Sequence, residues 1–301
     1  MMIDKFIDYL RYERNRSELT VESYGRSLRD FETYFKNRDS QLSWESVDSD
    51  IIRDWMESMM DKGDMASTVN RCLSAVRSFY RFALSRGLVK HDPSHIVKGP
   101  KKQKMLPQYV RENEMDRLLD IPEMWGDCYK DIRARTIIIL LYETGLRRSE
   151  LTGLNDADVD FVSRQLKVTG KRNKQRVIPF GEEMAAELQH YIVARNAQFE
   201  NRMEDALFLS DKGRRVTPSQ VYVTVRKYLS KVTTMKKRSP HVLRHSFATA
   251  MLNNGAGIES VRKLLGHESV ATTEIYTHTT FEQLKKVYKN AHPRALLTLL
   301  K

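Results

Sequence analysis

The sequence predicts a mainly helical, α+β chain in two domains. The first is wholly helical; the second is mainly helical and holds one small antiparallel sheet. Three observations predict this. Apolar residues recur at helical spacing through the first hundred positions, without strand-like alternation. The stretch Gly99-Pro100-Lys101-Lys102-Gln103-Lys104-Met105-Leu106-Pro107 then opposes helix, because each proline lacks an amide donor and clashes with the preceding turn. Beyond it, between residues 159 and 180, short runs of alternating apolar and polar residues interrupt the helical pattern.

Taken in order, Thr20 is the expected N-cap of a helix whose Val21, Tyr24, Leu28, Phe31 and Phe35 share one face. Asp50, before Ile51, Ile52, Trp55, Met56 and Met59, opens a second helix. A third follows Ser67 or Thr68, with Val69, Cys72, Leu73, Val76, Phe79, Tyr80 and Ala83 on its apolar side. Its other side carries Arg71, Arg77, Arg81 and Arg86, either a solvated face or a surface for a phosphate backbone. The domains are then 1–98 and 109–301, joined by a basic linker at 99–108. In the second domain a helix over 131–144 stops at Gly145, a C-cap. Strands are expected at 159–162, 165–169 and 175–180, with the turn of the second hairpin at 170–174. Thr217-Pro218 and Ser239-Pro240 each place a capping residue before a proline at the first helical position. No repeat or low-complexity tract is present.

The chain has 301 residues, enough for two cores, and a formal net charge of +12 that favours a polyanionic partner. Its two cysteines, Cys72 and Cys128, form no framework, which points to a reducing compartment. The N-terminus lacks the apolar stretch of a signal peptide. The most apolar run, 137–141, is far too short to span a bilayer, so a cytoplasmic protein is expected and no membrane partner.

Chemistry concentrates near the start of the helix that follows Ser239. His241, Arg244 and His245 lie at i, i+3 and i+4 and share a face. A zinc helix would carry a glutamate where Val242 stands, and Arg244 would repel the ion, so no metal site is expected. Core packing of the histidines does not account for three polar groups together. An anion site does: arginine offers a fork of donors to phosphate oxygens, and the helix N-terminus adds favourable dipole charge.

Upstream stands Thr144-Gly145-Leu146-Arg147-Arg148-Ser149-Glu150-Leu151; downstream stand Leu265-Gly266-His267-Glu268-Ser269 and Glu274-Ile275-Tyr276-Thr277-His278. Each alone is weak. Together with VTGKRNKQRVIPF, which carries Lys171, these boxes resemble, in order and spacing, the signature of the tyrosine recombinases, the phage-integrase-like family. The resemblance spans nearly the whole chain, and the closing Asn290-Ala291-His292-Pro293-Arg294-Ala295 is similar to the tail of the XerC/XerD subgroup. Two positions depart from the pattern. Arg148 stands where an apolar residue is usual, and Arg172 where a glycine is common.

The resemblance implies a helical core-binding domain and a catalytic domain forming a C-shaped clamp on DNA. It implies Arg147, Lys171, His241, Arg244 and His267 as catalytic groups around Tyr276, the nucleophile, with Glu150 orienting the site. Arg147 and Arg244 would clamp the scissile phosphate, His267 would donate to it, His241 would accept the phenolic proton, and Lys171 would protonate the leaving 5′ oxygen. Lys101, Lys102 and Lys104 of the linker, and Arg172 of the hairpin, join Arg71, Arg77 and Arg81 as candidate DNA contacts. No cofactor is implied: the sequence has no P-loop and no carboxylate cluster for magnesium. The partners implied are duplex DNA, a homo- or hetero-tetramer on two duplexes, a second recombinase and a DNA translocase. The expected role is dimer resolution at a dif-like site. A mobile-element integrase, a type IB topoisomerase and a DNA-binding module with a decayed site are the alternatives; the filled catalytic positions count against the last. The apolar tail over 281–301 is expected to dock on its own domain or, as in the family, on a neighbouring protomer.

Overall fold

The helices of the first hundred residues form because each carries one apolar face, and together those faces enclose a core. The computed structural model describes residues 2–101, 108–170, 173–200, 202, 204–266 and 278–295, the last span without the side chains of 278–282. The chain divides into two units, Met1–Met105 and Leu106–Lys301. In the first, α1 (Met2–Asp8) runs into a π-helical turn at Tyr9–Glu13 and is followed by α2 (Glu18–Arg38), α3 (Ser49–Asp61) and α4 (Ala66–Ser85). The apolar positions read from the sequence are buried, save Tyr24, which is half-buried. Trp44, between α2 and α3, fills the centre: its ring lies 4.3 Å from that of Phe79 and 5.3 Å from that of Phe35, while its Nε1 donates to Glu32 at 2.8 Å.

The helix starts differ from the expected ones. Ser17, not Thr20, is the N-cap of α2, and their hydroxyls hydrogen-bond at 2.9 Å. Asp48, not Asp50, caps α3: its carboxylate accepts from the amides of Asp50 and Ile51, both at 2.9 Å. α4 begins at Ala66, ahead of Ser67. In each case the helix extends one or more residues beyond its apolar stripe, where periodicity carries no signal.

The second unit contains α5 (Glu112–Asp120), α6 (Tyr129–Thr144), α7 (Arg148–Gly153), β1 (Val159–Asp160), β2 (Gln165–Thr169), β3 (Gln175–Pro179), α8 (Glu182–Gln198), α9 (Pro218–Leu229), α10 (Pro240–Asn253), α11 (Ile258–Leu265) and α12 (His278–Ala291). Helix α6 is the axis. It is buried on every side from Thr136 to Thr144, as expected of a helix without a polar face, and packs on α8, α9 and α10. It ends at Gly145, whose φ of 61° is left-handed. A Cβ there would stand 2.6 Å from Phe247 and 2.7 Å from Leu265, so only glycine lets α10 and α11 approach.

The sheet is antiparallel in the order β1-β2-β3, with Leu166 opposite Ile178 and Val168 opposite Arg176. β1 is shorter than expected because the Asp160 carboxylate accepts from the amides of Val162 and Ser163, both at 2.9 Å, and turns the chain. Thr217 caps α9 as expected: its hydroxyl accepts from the Gln220 amide at 3.2 Å, while the Gln220 side chain accepts from the Thr217 amide at 2.8 Å. Thr217→Ala is expected to cost about 1 kcal/mol of stability, read as a lower urea midpoint with unchanged slope. Ser239 makes no such cap bond.

The tail to Ala295 is covered by its own unit. Leu284, Tyr288, Ala291, His292 and Arg294 are buried, and α12 packs on β3, α10 and α11. Arg294 fastens it, pairing with Glu183 at 2.5 Å, Asp120 at 2.6 Å and Asp116 at 3.3 Å. Docking on a neighbour is therefore not needed to bury this segment; Leu296 to Lys301 lie outside the described residues. Among the described residues no helix is long and apolar enough to cross a membrane.

Candidate active site

Three arginines from three separate elements converge on the end of one short helix. Helix α11 ends at Leu265, and Gly266, at φ 62°, turns the chain out of it. The last carbonyls of any helix lack internal partners and need outside donors. Here Arg176 Nε, from β3, donates to Leu264 O at 2.9 Å; Arg244 Nη2, from α10, donates to Leu265 O at 2.6 Å; Arg147 Nη2, from the N-cap of α7, donates to Gly266 O at 3.2 Å. Cations at a helix C-terminus are also favoured by its dipole. The next residue in the chain is His267.

Glu150 sits under the three. Its side chain is 2% exposed, and its oxygens accept from Arg176 Nη1 and Nη2, each at 2.9 Å, from Arg147 Nη1 at 2.7 Å and from the Arg147 amide at 2.8 Å. Burial by itself would raise its pKa; the hydrogen bonds and charge of Arg176, with those of Arg147, outweigh this and hold the carboxyl at about 2. Arg244 Nη1 reaches across to Gly145 O at 2.7 Å and stands 4.0 Å from Glu150. Burial, then the nearby charge of Arg147, lowers Arg244 to about 10, which leaves it charged at neutral pH. The arrangement holds three guanidinium charges against one carboxylate. The Arg147 side chain is 40% exposed, whereas those of Arg176 and Arg244 are 7% and 5% exposed. A half-open, net-positive pocket of fixed donors is what an anionic phosphate in a charged transition state requires.

His241, one turn before His245 on α10, is exposed, and their rings meet edge to face at 4.5 Å. Although the residue is open to solvent, partial desolvation, then the charges of His245 and Arg244, pushes its pKa down and favours the neutral imidazole, the form that accepts a proton. The two adjacent arginines of the first box separate clearly: Arg147 joins the cluster, while Arg148 is exposed on α7. Lys171, Arg172, His267 and Tyr276 lie outside the described residues, as do Lys102 and Lys104. Gly170, immediately before Lys171, would place a Cβ 3.4 Å from Glu150 Oε1, so the hairpin base abuts the cluster. Of the arginines on α4, Arg71 and Arg81 are exposed, whereas Arg77 turns onto its own unit and donates to Val97 O at 2.5 Å. Lys101 is exposed.

Sequence reasoning missed Arg176. The alternation of Arg176 with Val177 suits an arginine on the polar face of a strand. In the structure it is buried on the same face as Val168 and Ile178. Its spacing of two from Ile178 was the available signal.

Comparisons with known proteins identify the family. Residues 108–283 match the phage integrase family, and residues 3–87 match the phage integrase N-terminal SAM-like domain. The chain is similar to tyrosine recombinase XerC of Chlorobaculum tepidum, 38% identical over 97% of this chain and 94% of the relative. It is also similar to tyrosine recombinase XerD of Oceanobacillus iheyensis, 36% identical over 97% and 98%. Among solved structures it shares the fold of the Tn1549 transposon integrase in complex with transposon right end DNA, at a TM-score of 0.71 and 20% identity over 95% of this chain and 98% of that one. The XerH recombinase bound to its difH substrate gives a TM-score of 0.68 at 21% identity, covering 95% and 84%. With the family model matching over half its length and the two relatives along nearly all of it, the chain belongs to the phage integrase family of tyrosine recombinases.

Proposed function

We propose that this protein recombines DNA at a specific site of the kind its XerC and XerD relatives use, a dif-like sequence, and so resolves joined chromosomes. The observation that carries the reading is the arginine cluster at the end of α11: fixed donors and net positive charge placed one residue before His267.

Duplex DNA is the substrate. Arg147 and Arg244 hold the non-bridging oxygens of the scissile phosphate, and His267 donates to the same group. The Tyr276 phenolic oxygen attacks phosphorus while His241 accepts its proton. The P–O5′ bond breaks, Lys171 protonates the departing oxygen, and a 3′-phosphotyrosyl bond remains. A 5′ hydroxyl from the partner strand attacks that bond, restores the phosphodiester and releases Tyr276. Because the covalent bond conserves the energy of the broken linkage, no nucleotide is consumed. Arg71, Arg81, Lys101, Lys102, Lys104 and Arg172 contact the phosphate backbone and set register rather than sequence. Four recombinase subunits act on two duplexes under a DNA translocase, either all copies of this chain or copies of it together with a second recombinase.

The test is to trap the protein on a nicked dif-like duplex in EDTA without ATP, digest the adduct, and locate the modified residue by mass spectrometry. A deoxynucleotide-bearing peptide with Tyr276 as the modified residue is the expected result. Modification of another tyrosine, or an adduct that forms only with a divalent metal, overturns the proposal.

A further inference from the structure

We propose that Arg176 is a positioning residue for strand cleavage: it matches the charge of Glu150 and fixes the end of α11, so that Arg147 is left to meet the phosphate. The inference deepens the function proposed above and rests on it.

Glu150 is the only acidic side chain paired with these guanidinium groups among the described residues; Arg147 and Arg176 hydrogen-bond to it, and Arg244 stands 4.0 Å away. Arg176 takes both oxygens with a planar fork that only arginine provides, from a position almost closed to solvent. Arg147 uses one Nη on Glu150 and one on Gly266 O, and its side chain remains 40% exposed. The division of labour follows from burial. The enclosed arginine neutralises the enclosed carboxylate, and the open arginine keeps an uncompensated charge facing outward. Without Arg176, Glu150 is left with Arg147 and, at 4.0 Å, Arg244, so less net positive charge remains where a phosphate must bind.

The third bond of Arg176, to Leu264 O, acts on geometry. A Cβ on Gly266 would stand 3.1–3.2 Å from the Arg176 side chain, so the α11 turn is seated directly on that guanidinium. The chain leading to His267 and Tyr276 starts from this seat. Arg176 also lies on the strand whose hairpin carries Lys171. It thus links α7, whose N-cap is Arg147, the strand that follows Lys171 and the α11 turn that precedes His267 in the chain.

The experiment uses the full chain with Arg176→Gln, Arg176→Lys and the double variant Arg176→Gln with Glu150→Gln, each checked for a native melting transition. Duplex affinity and the rate of covalent adduct formation are measured on two nicked duplexes. One has an ordinary scissile phosphate; the other has a methylphosphonate, which carries no charge for Arg147 to meet. Arg176→Gln is expected to bind DNA as the wild type does and to cleave the phosphate duplex about 10–100-fold more slowly, the usual cost of losing a residue that orients a reacting group. Its deficit shrinks on the methylphosphonate, and the double variant recovers part of the loss because no unpaired carboxylate remains. Arg176→Lys, with the charge but not the fork, falls between the two. Equal deficits on both duplexes, no recovery in the double variant, or a wild-type rate for Arg176→Gln would overturn the inference. If Arg176→Gln does not fold, Arg176→Lys carries the comparison of the two duplexes. Failure of the underlying site reading is separately visible, because the wild-type adduct would then map away from Tyr276.

Discussion

Arg244→Ala is expected to slow covalent adduct formation by on the order of 10²–10³, the loss typical of one preorganised donor to a developing charge. The arginine is held at two points, Gly145 O at 2.7 Å and Leu265 O at 2.6 Å, so it spans from the end of α6 to the end of α11. Alanine removes the charge and also strips both buried carbonyls of a donor, each at a cost of about 1–3 kcal/mol. Arg244→Lys separates the two effects. An ammonium restores charge but cannot serve both carbonyls and a phosphate in one plane. Rates on a nicked duplex and urea unfolding of the same variants provide the check. A lysine variant with full stability and an alanine-like rate assigns the loss to phosphate geometry. An alanine variant that cleaves at the wild-type rate removes Arg244 from the chemistry.

Stability is expected to peak over a plateau from about pH 4.5 to 6.5 and to fall on both sides. Two groups buried beneath α12 set those limits. Glu143 is fully enclosed; burial, reinforced by the negative charge of Glu183 and opposed by Arg294 and a 3.3 Å bond from the Tyr288 hydroxyl, lifts it from 4.5 to about 8. The folded chain therefore holds a proton that the unfolded chain releases above 4.5, and stability is lost as pH rises towards 8. His292, flanked by Tyr142, Phe247 and Tyr288, moves the other way: burial, and then the Arg294 charge, against the pull of the Tyr142 backbone, lowers it from 6.5 to about 3. Unfolding exposes a base that binds a proton below 6.5, so stability is lost as pH falls. Between 4.5 and 6.5 the two slopes, each about 1.4 kcal/mol per pH unit, cancel. Of these two, Glu143 acts alone above 6.5 and His292 alone below 4.5, where the depressed Glu150 adds to the fall. Glu143→Gln should remove most of the alkaline fall in urea-determined stability between pH 6.5 and 8. A variant that still loses stability there as steeply as the wild type contradicts this account.

The order of helices and strands was legible because each apolar stripe reports its own period, and the burial of Phe31, Trp55 and Phe79 follows from it. The helix starts were less legible. Asp48 caps α3 through its distance to two amides, and sequence spacing offers Asp50 equally well. The site was legible as a set of residue types, and Arg147, Glu150 and Arg244 do meet in space. What escaped was the buried polar interior. A charged residue in a strand usually faces solvent, and Glu143 stands just past the apolar run 137–141, so the sequence does not announce that Arg176 and Glu143 are buried. In both cases the partner that permits burial lies far along the chain: Glu150 for Arg176 and Tyr288 for Glu143.

The grip of three arginines on three successive carbonyls also bears on when this enzyme becomes dangerous to DNA. Positions 147, 176 and 244 meet positions 264–266 only across long stretches of sequence, and contacts of that kind form late in folding. A nascent chain that has not yet delivered α11 has its arginines but no carbonyls to align them, and it also lacks Tyr276. On the proposed assignment of Tyr276 as nucleophile, a chain truncated before α11 is expected not to nick DNA, because it lacks both the aligning carbonyls and the tyrosine.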